Sequence, residues 1–246
     1  MDHLVYLASS GAREAMLAQA ANTNNLANAS TTGFRADLLL AQSAYLSSDQ
    51  LDSRVYAGVN NGGVDFRQGT VNATGRDLDV AISGEGWITI AAGEGAEAFS
   101  RRGDLRVNQL GQLLDGAGNQ IIGNSGPIAL PPYTEIAIGA DGTISIIPLG
   151  GTADTLAVVD RIKLVNPDAG FLNKNANGQI QFSGDEAVFP DTGVTLMSGS
   201  LESSNVDSVG AMVQMIDLSR QFEYQVQMMK VAEELDQASA QLMKLS

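Results

Sequence analysis

Residues 211–246 read AMVQMIDLSRQFEYQVQMMKVAEELDQASAQLMKLS, without a single glycine or proline. Phe222, Val226, Met229, Ala232, Leu235, Ala238, Leu242 and Leu245 recur every three or four positions, the spacing of one helix face. Just upstream, Val209, Met212, Val213 and Ile216 keep that spacing and extend the face. The run predicts one amphipathic helix, about 50 Å long at 1.5 Å per residue. Such a length exceeds that of ordinary globular helices and points to a coiled coil. The apolar face is broader than a two-position seam, so it predicts more than one packing partner. Start signals precede it. Ser203, Ser204 or Asn205 can cap, and Asp207 falls in the first turn, where the helix dipole favours an acid.

The other end of the chain also reads as a helix. Val5, Ala8, Ala12, Ala15, Gln19, Asn22 and Leu26 follow the same spacing, but they are mostly small. Such a face lets another helix approach closely and buries little area by itself. Its last turns carry Asn22, Asn24, Asn25 and Asn28. Asparagine weakens a helix because its side chain competes for backbone hydrogen bonds. Buried amides need partners, and leaving one unpaired costs about 1–3 kcal/mol. These asparagines are therefore expected to fix the register of an interface at some expense in stability. Ser30, Thr31, Thr32 and Gly33 then end the helix, and Phe34 anchors the turn into the next segment.

Between the two ends the composition changes. Most of the 27 glycines and all six prolines fall within residues 47–200. LDVAISG, GWITIAA, QIIGN and QIQFSG are short β-branched runs bounded by turn residues. EIAIG and ISIIP flank an Asp-Gly turn at residues 140–143, which predicts a hairpin. GQLLDGAGNQIIG suggests another. No strand–helix–strand alternation occurs, so the pairing is expected to be antiparallel. The fold class expected is α+β: terminal helices paired as a coiled-coil stalk, with a mostly antiparallel β domain inserted between them. The segments are 1–46, a helix and connecting arm; 47–80, an extended β-containing connector; 81–200, the β domain; and 201–246, the long helix.

Composition removes several functions. Acidic residues outnumber basic ones 28 to 14, giving a formal charge of −14. A chain so acidic is ill suited to neutralising nucleic-acid phosphates or to lying on an anionic membrane. The absence of cysteine excludes disulfides, thiolate metal sites and thiol nucleophiles. No apolar run reaches the length of a membrane helix. The N-terminus lacks the basic and apolar regions of a secretory signal, so any export is expected to use another route. The only histidine, His3, sits too near the start to be a convincing catalytic base. GEGWITIAAG lacks the lysine of a phosphate-binding loop. NKNANG at 173–178 offers neutral Asn173, Asn175 and Asn177 where a calcium loop has acids, and Gly184 where it needs a glutamate. An asparagine–glycine turn is expected there. Arg101 and Arg102 are adjacent and, on a strand, would point to opposite faces, so they do not form a convergent anion site. Neither a metal nor a cofactor is expected, and no catalytic residue stands out.

Four ordered stretches together resemble the rod and hook family of bacterial flagellar axial proteins. ANTNNLANASTTGFRADL (21–38) is similar to its N-terminal signature, an ANNLAN core followed by S-T-x-G-F-[KR]. RQGTVNATGRDLDVAISGEGWITI (67–90) is similar to its Q-G, T-G, L-D-V-A-I and G-x-G pattern, with Trp87-Ile88 where two aromatics are usual. FSRRGDLRVNQLGQLLDGAGNQIIG (99–123) resembles its Y-T-R-x-G run, with Phe99-Ser100-Arg101 in place of Y-T-R. SGSLESSNVDSVGAMVQMIDLSRQFEYQVQMMK (198–230) resembles its G-x-L-E-x-S-N-V signature and terminal helix.

The resemblance implies a structural subunit rather than an enzyme. Length and the RQFEYQVQMMK wording look most like a proximal rod subunit, with a distal rod subunit as the close alternative. A β-domain binding protein on a coiled-coil stalk is the alternative outside the family. Members of the family assemble with themselves and with other rod proteins into a helical tube that crosses the periplasm and carries torque to the hook. They leave the cell through the flagellar type III export apparatus without a cleaved signal. The expected assembly interface comprises Asn22, Asn24, Asn25, Leu26, Asn28, Gly33 and Phe34 from the N-terminal signature. Leu201, Asn205 and Val206 come from the C-terminal signature, and Val209, Met212, Ile216, Phe222, Val226 and Met229 supply the bulky helix face.

Overall fold

The computed structural model describes residues 2–45, 55–93, 96–151, 155–175, 178–184 and 187–245. The class is α+β, with one long helix at each end of the chain and an antiparallel β region between them. The chain divides into two compact units. One holds Met1–Ala29, Asp37–Gly63 and Val206–Ser246; the other holds Ser30–Ala36 and Val64–Asn205.

In the first unit, α1 (Asp2–Ala27) packs along α2 (Ser208–Leu245). The small side chains of Ala8, Ala12 and Ala15 are buried, and Asn22 is buried with them. Asn22 Nδ2 donates to the Ala211 carbonyl at 2.7 Å. A Cβ placed on Gly11 would come within 2.9 Å of the Gln225 side chain. Asn22 therefore meets Ala211 while Gly11 meets Gln225, and the helices run antiparallel.

The facing side of α2 is Ala211, Met215, Leu218, Phe222, Val226, Met229 and Ala232, all buried or half-buried. Its spacing is the expected one, but its members are not all the expected ones. Val209, Met212, Val213 and Ile216 lie on the exposed side instead. The apolar positions thus form two faces rather than one continuous stripe. Leu242 and Leu245 have side chains outside the described set, as does His3.

The helix starts also differ from expectation in one respect. Asp207 is the cap: its Oδ1 accepts from the Val209 N–H at 3.1 Å, and its carbonyl accepts from Ala211. Ser203 and Asn205 are committed to other partners. Residues 37–45, the connecting arm after the helix in the sequence reading, form the strand Asp37–Tyr45. It pairs with Val55–Val64 as a two-stranded ribbon. The turn at Ser30–Gly33 stops the helix before the Leu38–Leu40 run is reached. Residues 46–54 lie outside the described residues.

The second unit is built from small antiparallel sheets. The largest runs in the order Leu164–Val165, Trp87–Ala91, Glu97–Ser100, Ile180–Phe182, Leu172–Lys174. A three-stranded sheet orders Tyr133–Ile138, Thr143–Pro148 and Ala157–Arg161. Its first turn is the expected Asp-Gly hairpin, with Asp141 bonding the Thr143 hydroxyl at 2.6 Å. Val80–Ser83 pairs with Thr195–Ser198, and Val71–Ala73 with Ser200–Glu202. Alternate side chains of these strands fill one core that includes Val80, Ile88, Ile90, Leu113, Ile121, Ile144 and Ile162. A second cluster gathers Val64, Trp87, Phe99, Val165, Leu172 and Ile180. In the NKNANG stretch, Asn175 Oδ1 accepts from the Gln179 N–H at 2.9 Å and closes a turn; residues 176–177 lie outside the described residues.

Candidate functional site

Glu202 ends the short strand Ser200–Glu202 and is only 1% exposed. A buried carboxylate is expensive unless it is paired and hydrogen-bonded. Arg35 Nη2 lies 2.5 Å from its Oε1, and Arg101 Nη1 lies 3.1 Å from its Oε2. The Gly69 N–H donates to Oε1 at 2.9 Å. The Gly33 N–H donates to the Glu202 backbone carbonyl at 2.8 Å. Gly33 has φ +65°, and a Cβ there would lie 2.4 Å from the Arg101 carbonyl oxygen. Only glycine meets both demands at that position.

Arg101 is secured by more than its ion pair. Its Nη2 donates to the Gly84 carbonyl at 2.8 Å, and its guanidinium lies 5.4 Å from the centre of the Trp87 ring. Burial pushes its pKa down, and the Glu202 charge opposes that effect.

Asn205 extends the same knot. Its Nδ2 donates to the carbonyls of Asp65 at 2.8 Å and Arg67 at 3.0 Å, while its Oδ1 accepts from the Ala36 N–H at 2.8 Å. Its own N–H reaches the Phe34 carbonyl at 3.3 Å, and the Asp65 N–H reaches the Ala36 carbonyl at 2.8 Å. Lys174 donates to the Arg35 carbonyl at 3.1 Å and lies 4.1 Å over the Phe34 ring. Asp65 pairs with Arg67 at 2.5 Å; that side-chain hydrogen bond holds the Asp65 pKa below its ordinary value against the effect of burial.

Apart from Asp65 and Lys174, these positions fall within the four resembling stretches. Gly33, Phe34 and Arg35 come from S-T-x-G-F-[KR], Gly69 from 67–90, Arg101 from 99–123, and Glu202 and Asn205 from L-E-x-S-N. Sequence reasoning singled out Gly33, Phe34 and Asn205 but missed Arg35, Arg101 and Glu202. The acid and base quoted inside the terminal signatures were the available signal. Arg101 and Arg102 do diverge, since Arg102 pairs with Asp104 at 2.7 Å. Leu201 and Val206 are half-buried beside the knot in the chain.

The asparagines have separate tasks. Asn22 bonds Ala211 of α2, as described. Asn25 Nδ2 donates to the Asp37 carbonyl at 3.0 Å, and its Oδ1 accepts from the Asp37 N–H at 2.8 Å. That two-way pairing fastens the start of the ribbon to the end of α1. Asn28 Nδ2 donates to the Asn24 carbonyl at 2.9 Å, satisfying a helix-end acceptor; Asn24 itself is exposed and Leu26 half-buried.

A second feature lies on the helix pair. Residues 15–34 and 208–216 contain no charged side chain. The Asn22–Ala211 contact places these two runs alongside each other. Met16, Leu17, Val209, Met212, Val213 and Ile216 are all exposed there, Val209 to 71%. The rest of α2 carries Asp217, Arg220, Glu223, Lys230, Glu233, Glu234 and Asp236. One end of the helix pair therefore exposes apolar side chains and carries no charge, whereas the remainder of α2 mixes its charges with exposed Tyr224, Met228, Val231 and Leu235. Solvated helix faces carry charge; an exposed apolar face marks a surface meant for contact. Phe222, Val226 and Met229 are spent on α1 and do not contribute to this face.

Among the described residues, no cluster of His, Cys, Asp or Glu could hold a metal ion, and no helix is long and apolar enough to cross a membrane.

Comparison with known proteins adds the remaining observation. Residues 197–242 match the family described as flagellar basal body rod FlgEFG protein C-terminal, and residues 81–146 match the flagellar hook protein FlgE/F/G D1 domain. The chain is 36% identical to the flagellar basal-body rod protein FlgF of Salmonella typhimurium over 252 aligned residues, covering 100% of both chains. It is also 36% identical, over the whole of both chains, to FlgF of Escherichia coli. It is 27% identical to the basal-body rod protein FlgG of Bacillus subtilis, across 86% of this chain and 88% of that one.

Proposed function

The chain belongs to the flagellar basal-body rod proteins and is FlgF-like, a structural subunit of the basal body rather than an enzyme, and from that premise we propose how it assembles. It is a proximal-rod subunit that packs with copies of itself and with related axial subunits into a helical tube. The lower identity to FlgG leaves the distal-rod alternative less supported. The tube crosses the periplasm and passes motor torque to the hook. The subunit arrives through the flagellar type III export apparatus without a cleaved signal, and it neither binds nucleic acid nor inserts into a membrane. Within the tube, α1 and α2 act as a coiled-coil pair.

The observation that carries the assembly reading is the uncharged outer face formed by Met16, Leu17, Val209, Met212, Val213 and Ile216. A torque-bearing tube requires interfaces and no chemistry. Head-to-tail contacts that do not close generate a helical filament. An uncharged apolar band at one end of each helix pair supports a repeating contact of that kind, because every copy presents the same surface. Burial of such side chains yields roughly 25 cal/mol per Å².

Ile216→Asp tests the reading. Ile216 is 55% exposed, so the isolated variant is expected to melt as the parent does, within about 0.5 kcal/mol. Sedimentation of concentrated protein is expected to show polymer for the parent and none for the variant. Equal polymerisation would remove this face from the assembly.

A further inference from the structure

We propose that Glu202 and Asn205 are the pivot of a single joint within the second unit, which docks the arm Ser30–Ala36 and the strap Leu201–Asn205 together, and that this joint opens and closes as one. The chain passes between units at Ala29–Ser30, Ala36–Asp37, Gly63–Val64 and Asn205–Val206. Each passage borders residues of the knot. The arm Ser30–Ala36 contributes Gly33, Phe34, Arg35 and Ala36; the strand start contributes Asp65 and Arg67; the strap Leu201–Asn205 contributes Glu202 and Asn205.

The bonds connect these segments to one another as well as to the surrounding strands. Arm and strap share the Gly33–Glu202, Ala36–Asn205 and Phe34–Asn205 hydrogen bonds and the 2.5 Å Arg35–Glu202 pair. Asp65 bonds both the arm, through Ala36, and the strap, through Asn205. Arg35 and Glu202 have side chains only 2% and 1% exposed. Withdrawal of the strap would strand the Arg35 charge in the interior, and withdrawal of the arm would leave the Glu202 carboxylate with Arg101 as its one cation and the Gly69 N–H as its one other donor. An isolated buried charge is the costliest outcome available to either segment. Neither segment therefore has a stable docked state without the other. The arm and the strap consequently dock as one, although they are far apart in sequence.

The joint does not depend on the rod reading and is tested on the monomeric full-length chain. The measurement is hydrogen–deuterium exchange of Arg35→Met, a change confined to the arm. The strap Leu201–Asn205, as well as the arm, is expected to lose protection by about tenfold or more, while Val80–Ser83 and Trp87–Ala91 keep theirs. Loosening of the arm with an unchanged strap, or no loosening of either, would overturn the proposal. Should Arg35→Met unfold the strands as well, Arg35→Lys decides, since it keeps the charge and gives up only the planar fork. Joint loosening of arm and strap in that variant supports the pivot, and loosening of the arm alone, or of neither, overturns it.

Discussion

Arg35 and Glu202 are 167 positions apart in sequence and 2.5 Å apart in the structure. Removing one member of such a buried set leaves an uncompensated charge, a loss of about 3–5 kcal/mol. Glu202→Gln is expected to lower stability by that amount. Urea titration followed by the fluorescence of Trp87, the sole tryptophan, measures it; a loss under about 1 kcal/mol would contradict the assignment. Asp65 gives a pH signature. Its pKa is depressed in the folded chain, chiefly by the Arg67 hydrogen bond. A depressed carboxyl contributes stability above its unfolded value near pH 4, and that contribution disappears as pH falls through the lower folded value. Asp65→Asn should therefore flatten the loss of stability below about pH 4 and leave the neutral range parallel to the parent; identical acid slopes would count against it. At this scale the sequence was legible only in part. Gly33, Phe34 and Asn205 could be named from their signatures. The acid–base partners could not, because pairing across such a separation depends on the β unit that brings the signatures together.

Both long helices were legible from spacing and from the scarcity of glycine, because a helix face is a local pattern. Which side of α2 meets α1 was not, since its first turns are apolar nearly all round. The small residues of α1 select Ala211, Met215 and Phe222, and Val209, Val213 and Ile216 remain outside. The asparagines were expected at an interface that fixes register. Asn22 does bond across the helix pair, but inside one chain, and Asn25 holds the ribbon instead. Asn22→Ala is expected to cost about 1–3 kcal/mol in thermal unfolding of the helical unit, as loss of a buried amide's hydrogen bond does. Asp207→Ala should remove the α2 cap at a cost of about 1 kcal/mol; the same melt reads it, and no change would return the cap to another residue.

For the molecule as a whole, the division into helical ends and a β middle followed from where glycine and proline fall, and it is present in the structure. The strands Asp37–Tyr45 and Val55–Val64 fall in the stretches read as a connecting arm and a β-containing connector, but their pairing was not legible, because a leucine run after a turn fits a helix or a strand equally well. On the proposed assembly, the uncharged helical face of the rod subunit repeats from copy to copy. The most direct test is averaged electron microscopy of basal bodies isolated from cells in which Ile216→Asp replaces the native chain. Rings without a full-length rod, alongside soluble and folded variant chain, are the result expected. Rods of normal length that contain the variant at normal abundance would contradict the account.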